Sequence, residues 1–299
     1  MTKNIWGRVS LDVMAIIATI FGIATSLGLG ANQINSGLSY MGMIEGSFIN
    51  TVGIVILITL MGLVSVVLGL KVGIKILSQI NIVLCIIFLL FIFLAGPTSY
   101  ILDGLVQNLG SYVQKLLSLS TNTQGYSDSS WQNAWTLYYY SWWFAWSPFV
   151  GLFIARISYG RSIQEFLIGA VLVPTFIVFI WMGVFGNAAI YQEFIEPTSL
   201  STAINNDITI SLFIFLEQFP FSQVIMWLAI VIILTFFVTS SDSGALVTSM
   251  LTAAKKENFK DEPPMILRII WALSLGVISI VLLAGGGIGA LQTSVIVTG

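Results

Sequence analysis

Long apolar runs separated by short polar connections dominate this chain. Seven of them, roughly residues 11–38, 51–70, 73–96, 133–157, 164–190, 222–250 and 266–286, can cross a bilayer core of about 30 Å as helices, and the tail from Ala290 begins an eighth. The pattern predicts an all-α integral membrane protein, a polytopic helical bundle forming a single transmembrane domain over 1–299. Lipid bilayer is therefore its first partner.

Two connections carry apolar residues of their own. Between 97 and 132, Ile101, Leu105, Leu109, Val113, Leu116 and Leu117 predict an amphipathic helix on the outer surface, followed by a Ser/Thr/Asn/Gly loop. Residues 198–219 hold Leu212, Phe213, Phe215 and Leu216 before Pro220, which suits a lid or brace.

Charge then orients the bundle. Lys3 and Arg8, Lys71 and Lys75, Arg156 and Arg161, then Lys255, Lys256, Lys260 and Arg268 fall at every second connection. The alternate ones hold Glu45, Asp103, Asp128, Glu193, Glu196, Asp207 and Glu217, with Lys115 as their basic residue. Cytoplasmic loops collect Lys and Arg, so a multi-pass plasma-membrane protein with a cytoplasmic N-terminus is expected.

Candidate chemistry concentrates in three places. In residues 135–149 and just beyond, Tyr139, Trp142, Trp143, Trp146, Phe149 and Val150 follow helical spacing, which makes one helix face a wall of rings beside Pro148 and Ser147. Such a wall suits a cation that donates no hydrogen bonds, held by cation–π attraction. An interfacial belt of Trp and Tyr is the plainer alternative. The first run is rich in small residues, among them Thr19, Gly22, Ser26, Gly28 and Gly30; these permit close helix contact or a loosened segment whose carbonyls face a cavity. In the third run, Ser78, Gln79 and Asn81 are polar groups for bonds between helices.

The sixth run ends in Thr235-Phe-Phe-Val-Thr-Ser-Ser-Asp-Ser-Gly244. Hydroxyls of Thr239, Ser240, Ser241 and Ser243, with carbonyls freed by unwinding near Gly244, are hard donors for Na⁺. Alternatively they form a polar helix interface. Asp242 would cost about 2.5–3.5 kcal/mol at a bilayer centre if unpaired, and capping or pairing with Arg156 is its expected role.

Composition narrows the function. The 299 residues are 57% hydrophobic and 8% charged, with mean hydropathy +0.97 and net charge -2, so no nucleic-acid partner is indicated. No histidine is present, and the lone Cys85 lies in an apolar run, so neither a membrane hydrolase nor a cysteine metal cluster is expected and the chain reads as no enzyme. The N-terminal residues lack the short apolar core and cleavage site of a signal peptide.

Three stretches, Ala24–Asn35, Trp142–Ser158 and Phe236–Ser243, taken together in this order, resemble the betaine/choline/carnitine transporter (BCCT) family. The resemblance implies part of a LeuT-like inverted-repeat transporter fold, with 1–97 as the later part of the first repeat, 98–132 as the outer segment and loop, and 133–299 as most of the second repeat. By that comparison the first four helices and the last are missing. It implies Na⁺-coupled secondary active uptake of a small quaternary ammonium solute such as glycine betaine, choline or carnitine for osmoprotection, with no cofactor beyond the coupling ion. Trp142, Trp143 and Trp146 match the family's substrate-path tryptophans, Trp143 foremost, with Tyr139 beside them. Phe236, Thr239 and Ser240 match one sodium site, with Na⁺ at Thr239 and Ser240. Thr19 and Phe149 match the other, though a second threonine of sodium-coupled relatives is Ile23 here. No arginine occupies the first run, so the cation-independent exchanger pattern is not supported. Arg156 and Arg161 match cytoplasmic arginines of the family, while Tyr159 stands where many relatives have a further one. The rival expectation is a truncated, non-transporting relative or one part of a split transporter acting through a partner chain; a homo-oligomer is a further expectation.

Overall fold

A computed structural model describes residues 5–69, 73–126, 131–195, 200–253 and 262–299. Lys3, Lys71, Asp128, Glu196, Lys255, Lys256 and Lys260 lie outside the described residues, as does the end of the predicted loop before 131. The main elements are α1 (Ile5–Tyr40), α2 (Phe48–Leu68), α3 (Lys75–Ala95), α4 (Thr98–Ser120), α5 (Tyr138–Ile157), α6 (Ile163–Leu167), α7 (Val173–Phe194), α8 (Leu200–Asn206), α9 (Ser211–Glu217), α10 (Ser222–Thr252) and α11 (Met265–Thr298). A π-type turn at Ile168–Leu172 joins α6 and α7 into one rod.

Six helices among the described residues are long and apolar enough to cross a membrane, where seven were expected: Val9–Tyr40, Phe48–Leu68, Lys75–Ala95, Ile163–Phe194, Ser222–Thr252 and Met265–Thr298. The seventh run does fold, as the 20-residue α5, but Tyr138, Tyr139, Tyr140 and three tryptophans dilute its apolarity. Local signals start the rod at α6. Ser162 accepts from Glu165 N at 3.2 Å while the Glu165 carboxylate takes Ser162 N at 2.8 Å, closing both ends of a capping box.

The last helix is broken. Gly286 and Gly287 leave helical geometry, with Gly287 at φ 60°, a conformation glycine adopts without strain. A Cβ placed on Gly28 of α1 would meet both Leu291 and Ser279. Twelve residues of straight helix would separate those two by about 18 Å, so α11 doubles back at the glycine pair. The expected new helix after Ala290 is this returning limb.

Helix α1 lies at the centre, against α2, α5, α10 and α11. Its glycines explain the closeness: Gly22 faces Ala145 and Trp146, Gly28 faces Leu291, Gly30 faces Phe237, and Gly37 faces Phe213. Close helix contact is therefore the role of Gly28 and Gly30, and α1 runs unbroken through both. Without water to expel, such tight van der Waals contact is what holds helices together in lipid.

Helix α4 docks only by its first half. Ile101 is buried, Leu105 covers Gly183 of α7, and Asn108 Nδ2 donates to Asn187 Oδ1 at 3.1 Å. Leu109, Val113, Leu116 and Leu117 stay exposed. The segment 200–219 is a brace: Thr209 Oγ1 donates to Ser36 Oγ at 2.7 Å, Tyr40 to Glu217, and Phe213 is fully buried against Gly37.

Candidate functional site

Helix α5 carries the rings. Pro148 lacks the N–H that would reach the Phe144 carbonyl, and Ser147 Oγ donates to that oxygen at 2.8 Å, so the helix passes the proline without a stranded acceptor. Trp135, in the π-type segment Gln132–Leu137 that leads into α5, stacks on Tyr139 with centroids 6.1 Å apart, and within α5 Tyr138 stacks on Trp142 at 5.5 Å.

The expected single wall is divided by α1. Gly22 brings the α1 backbone close, a Cβ there standing 2.9 Å from Trp146 Cδ1, and Trp142 Nε1 donates across the seam to Gly22 O and Ser26 Oγ, both at 3.3 Å. Trp142 and Trp146 are thus half-buried packing residues, and Phe149, 5% exposed, sits edge-on to Trp146. The other flank stays open: Trp143 is 74% exposed. With Tyr139, Tyr140, Phe144 and Ser147 it lines an open cleft of about 460 Å³ whose described lining carries no charged side chain. Of the four expected substrate residues, Tyr139 and Trp143 reach this cleft and the other two do not.

Helix α10 holds the second cluster. It remains helical through Gly244, whose carbonyl accepts from Thr248 Oγ1 at 2.8 Å, so the expected unwinding does not occur. Gly244 is small because Ile23 of α1 fills the space beside it. Three oxygens still converge one turn earlier. Thr239 Oγ1 and Ser240 Oγ both donate to Phe236 O, at 2.8 and 3.0 Å, while the Phe236 ring is half exposed. Such hard oxygens fit Na⁺ if the hydroxyls turn their lone pairs inward, but three ligands leave the shell incomplete.

Thr19 and Phe149 share the α1–α5 seam. Ser26 opposite Trp142 and Gly22 opposite Ala145 and Trp146 set an antiparallel register that brings Thr19 level with Phe149. Thr19 Oγ1, fully buried, makes no hydrogen bond among the described residues, as befits a candidate ion ligand.

Asp242 departs from expectation. It is fully buried and pairs with hydroxyls rather than with Arg156: Ser65 of α2 donates to Oδ2 and Ser243 to Oδ1 at 2.9 Å. The reason is position, since Arg156 Nη1 lies 3.5 Å from Met250 Sδ, two turns further along α10. In α3, Asn81 bonds between helices as expected, accepting from Thr235 Oγ1 at 3.1 Å.

With this geometry in view, the comparisons with known proteins are decisive. Residues 2–299 match the model of the betaine/carnitine/choline family transporters. The chain belongs to that family. It is 42% identical over 99% of its length to a glycine betaine transporter of Acinetobacter baylyi, covering 44% of that protein. It is 38% identical over 99% of its length to a glycine betaine/proline/choline transporter of Vibrio parahaemolyticus, covering 53%. An ectoine/hydroxyectoine transporter of Virgibacillus pantothenticus is also 38% identical over 99% of the chain, which covers 58% of it. The chain thus spans about half the length of these relatives. The BCCT family is one of multi-pass membrane transporters, not of enzymes.

Several contacts in this BCCT chain were not foreseen from sequence. Ser26 as the partner of Trp142, and Ser65 as the partner of Asp242, each depend on which helix lies alongside. Tyr140 and Phe144 were legible, because Tyr140 stands three before Trp143 and Phe144 four after Tyr140, which helical spacing puts on one flank.

Proposed function

We propose that this chain forms part of a secondary transporter that carries a small quaternary ammonium solute, such as glycine betaine, choline or carnitine, with Na⁺ as the coupling ion. The observation that carries the reading is the uncharged, ring-lined cleft beside Trp143. A trimethylammonium group offers no N–H, so a carboxylate gains nothing by hydrogen bonding to it, whereas indole and phenol faces attract its spread charge. Trp143 and Tyr139 would face the ammonium, and Trp142 and Trp146 would hold α5 against α1.

Thr239, Ser240 and the Phe236 carbonyl would take one Na⁺, with Thr19 beside Phe149 as a second candidate position. The residues 1–97 and 133–299 then serve as parts of two inverted repeats on a LeuT-like core, in the plasma membrane with the N-terminus cytoplasmic and 98–132 outside. Movement of one repeat against the other would alternate access to the site. Osmoprotective uptake follows from the substrate class. The test is a tryptophan-fluorescence titration of the complete protein: glycine betaine or choline changes the emission and glucose does not, and Trp143→Leu removes the response.

The rival reading, one part of a split transporter or a non-transporting relative that works through a partner or a second copy, draws on the open flank of α5. Uptake measured with the 299-residue chain alone separates the two.

A further inference from the structure

The seam between α2 and α10 holds a buried carboxylate that the transport reading does not use. Asp242 is 0% exposed, and its described partners are hydroxyls: Ser65 across the seam and Ser243 on its own helix. The basic side chain near this level, Arg268 of α11, spends Nη1 on the Val66 carbonyl at 2.8 Å and on Glu262 at 2.9 Å. A carboxylate taken out of water without a countercharge is strongly disfavoured unless a proton neutralises it or a cation joins it.

Next to it stands an unused ligand. Ser241 is 0% exposed and its Oγ has no hydrogen-bond partner among the described residues. That hydroxyl faces Gly62 of α2, one turn before Ser65 on the same face. A Cβ on Gly62 would stand 3.1 Å from Ser241 Oγ, 3.2 Å from Ser241 Cβ and 3.6 Å from the Val238 carbonyl oxygen, so the glycine lets α2 approach this face of α10 closely and leaves two oxygens beside the gap.

We propose that Asp242 and Ser241, with Ser65 and Ser243, form a Na⁺ site at the α2–α10 seam, separate from the Thr239–Ser240 cluster. The carboxylate supplies the charge, and the hydroxyl oxygens supply hard donors of the kind Na⁺ accepts. The ion would tie α2 to α10 and so link Na⁺ binding to the packing of these two helices.

The decisive variant is Ser241→Ala. Its hydroxyl makes no hydrogen bond among the described residues, so a purely structural serine can be lost without effect on any Na⁺ response. Melting of the 299-residue chain in nanodiscs is followed as NaCl replaces KCl at constant ionic strength. Na⁺ raises the wild-type Tm. Ser241→Ala does not lower the Tm in KCl but moves the half-maximal Na⁺ concentration of this site up about tenfold, and Asp242→Asn removes the component of the Na⁺ response that survives in Thr239→Ala with Ser240→Ala. A wild-type Na⁺ curve in Ser241→Ala, an absence of any Na⁺ response, or a response lost only with Thr239 and Ser240 overturns the site. The readout needs no substrate and no uptake, so its outcome stands apart from that of the quaternary ammonium reading.

Discussion

The side chain of Ile23 fills the space beside Gly244, holding α1 and α10 backbone-close just after the hydroxyl stretch Thr239–Ser243 of α10. A methyl group at 244 would collide with it. Gly244→Ala is expected to cost about 1–3 kcal/mol, the usual penalty for overpacking a filled core, read as a lower Tm in detergent. Gly151→Ala on α5 meets nothing within 4 Å. It should leave stability unchanged or raise it by up to about 1 kcal/mol through helix propensity.

Trp143 should decide substrate affinity more than its neighbours do. In the complete protein, Trp143→Leu removes a cation–π partner worth about 2 kcal/mol when water is excluded, so the Kd for glycine betaine or choline rises roughly thirtyfold. Trp142→Phe keeps the ring but loses the hydrogen bonds to Gly22 and Ser26. It should lower the Tm and change Kd less. Equal losses of affinity in the two variants would count against the division of α5 into a packed and a substrate flank.

Thr239→Ala combined with Ser240→Ala should raise the Na⁺ concentration for half-maximal uptake by the complete protein about tenfold, since two of the three converging oxygens are removed. Uptake that proceeds equally well with K⁺ in place of Na⁺ would reduce this cluster to helix packing.

The 299-residue chain by itself is expected not to accumulate betaine or choline in liposomes under an inward Na⁺ gradient. Trp143 is 74% exposed in it, and an exposed cation–π contact falls to about 0.5–1 kcal/mol, too little to offset the cost of ordering a bound solute. Sodium-driven accumulation above empty vesicles would refute this and rule out the split-transporter reading.

Membrane orientation is testable with one engineered cysteine at a time. With Cys85, the single cysteine of the chain, replaced by alanine, Ser118→Cys on α4 should react with an impermeant maleimide on intact cells. Tyr159→Cys, between Arg156 and Arg161, should react only after permeabilisation.

The sequence alone located the helices, because a spanning helix must satisfy its backbone internally and cover it with apolar side chains, a demand local enough to read from composition. It also marked the aromatic stretch 135–149 and the hydroxyls of α10 as the chemistry-bearing segments, since rings and buried hydroxyls at that density are unusual in lipid. Tertiary structure decided the rest. Periodicity gives each helix its faces but not its neighbours, so only packing showed that α1 takes Trp142 and Trp146 while Trp143 stays open. The same limit hid Ser65, one of three hydroxyls scattered along an apolar run, as the partner of Asp242. It also left Gly28, Gly30 and Gly244 open to two readings. A glycine in a membrane helix can loosen the backbone or admit a neighbour, and the choice rests on whether a side chain from another helix, here Leu291, Phe237 or Ile23, occupies the space its missing Cβ leaves.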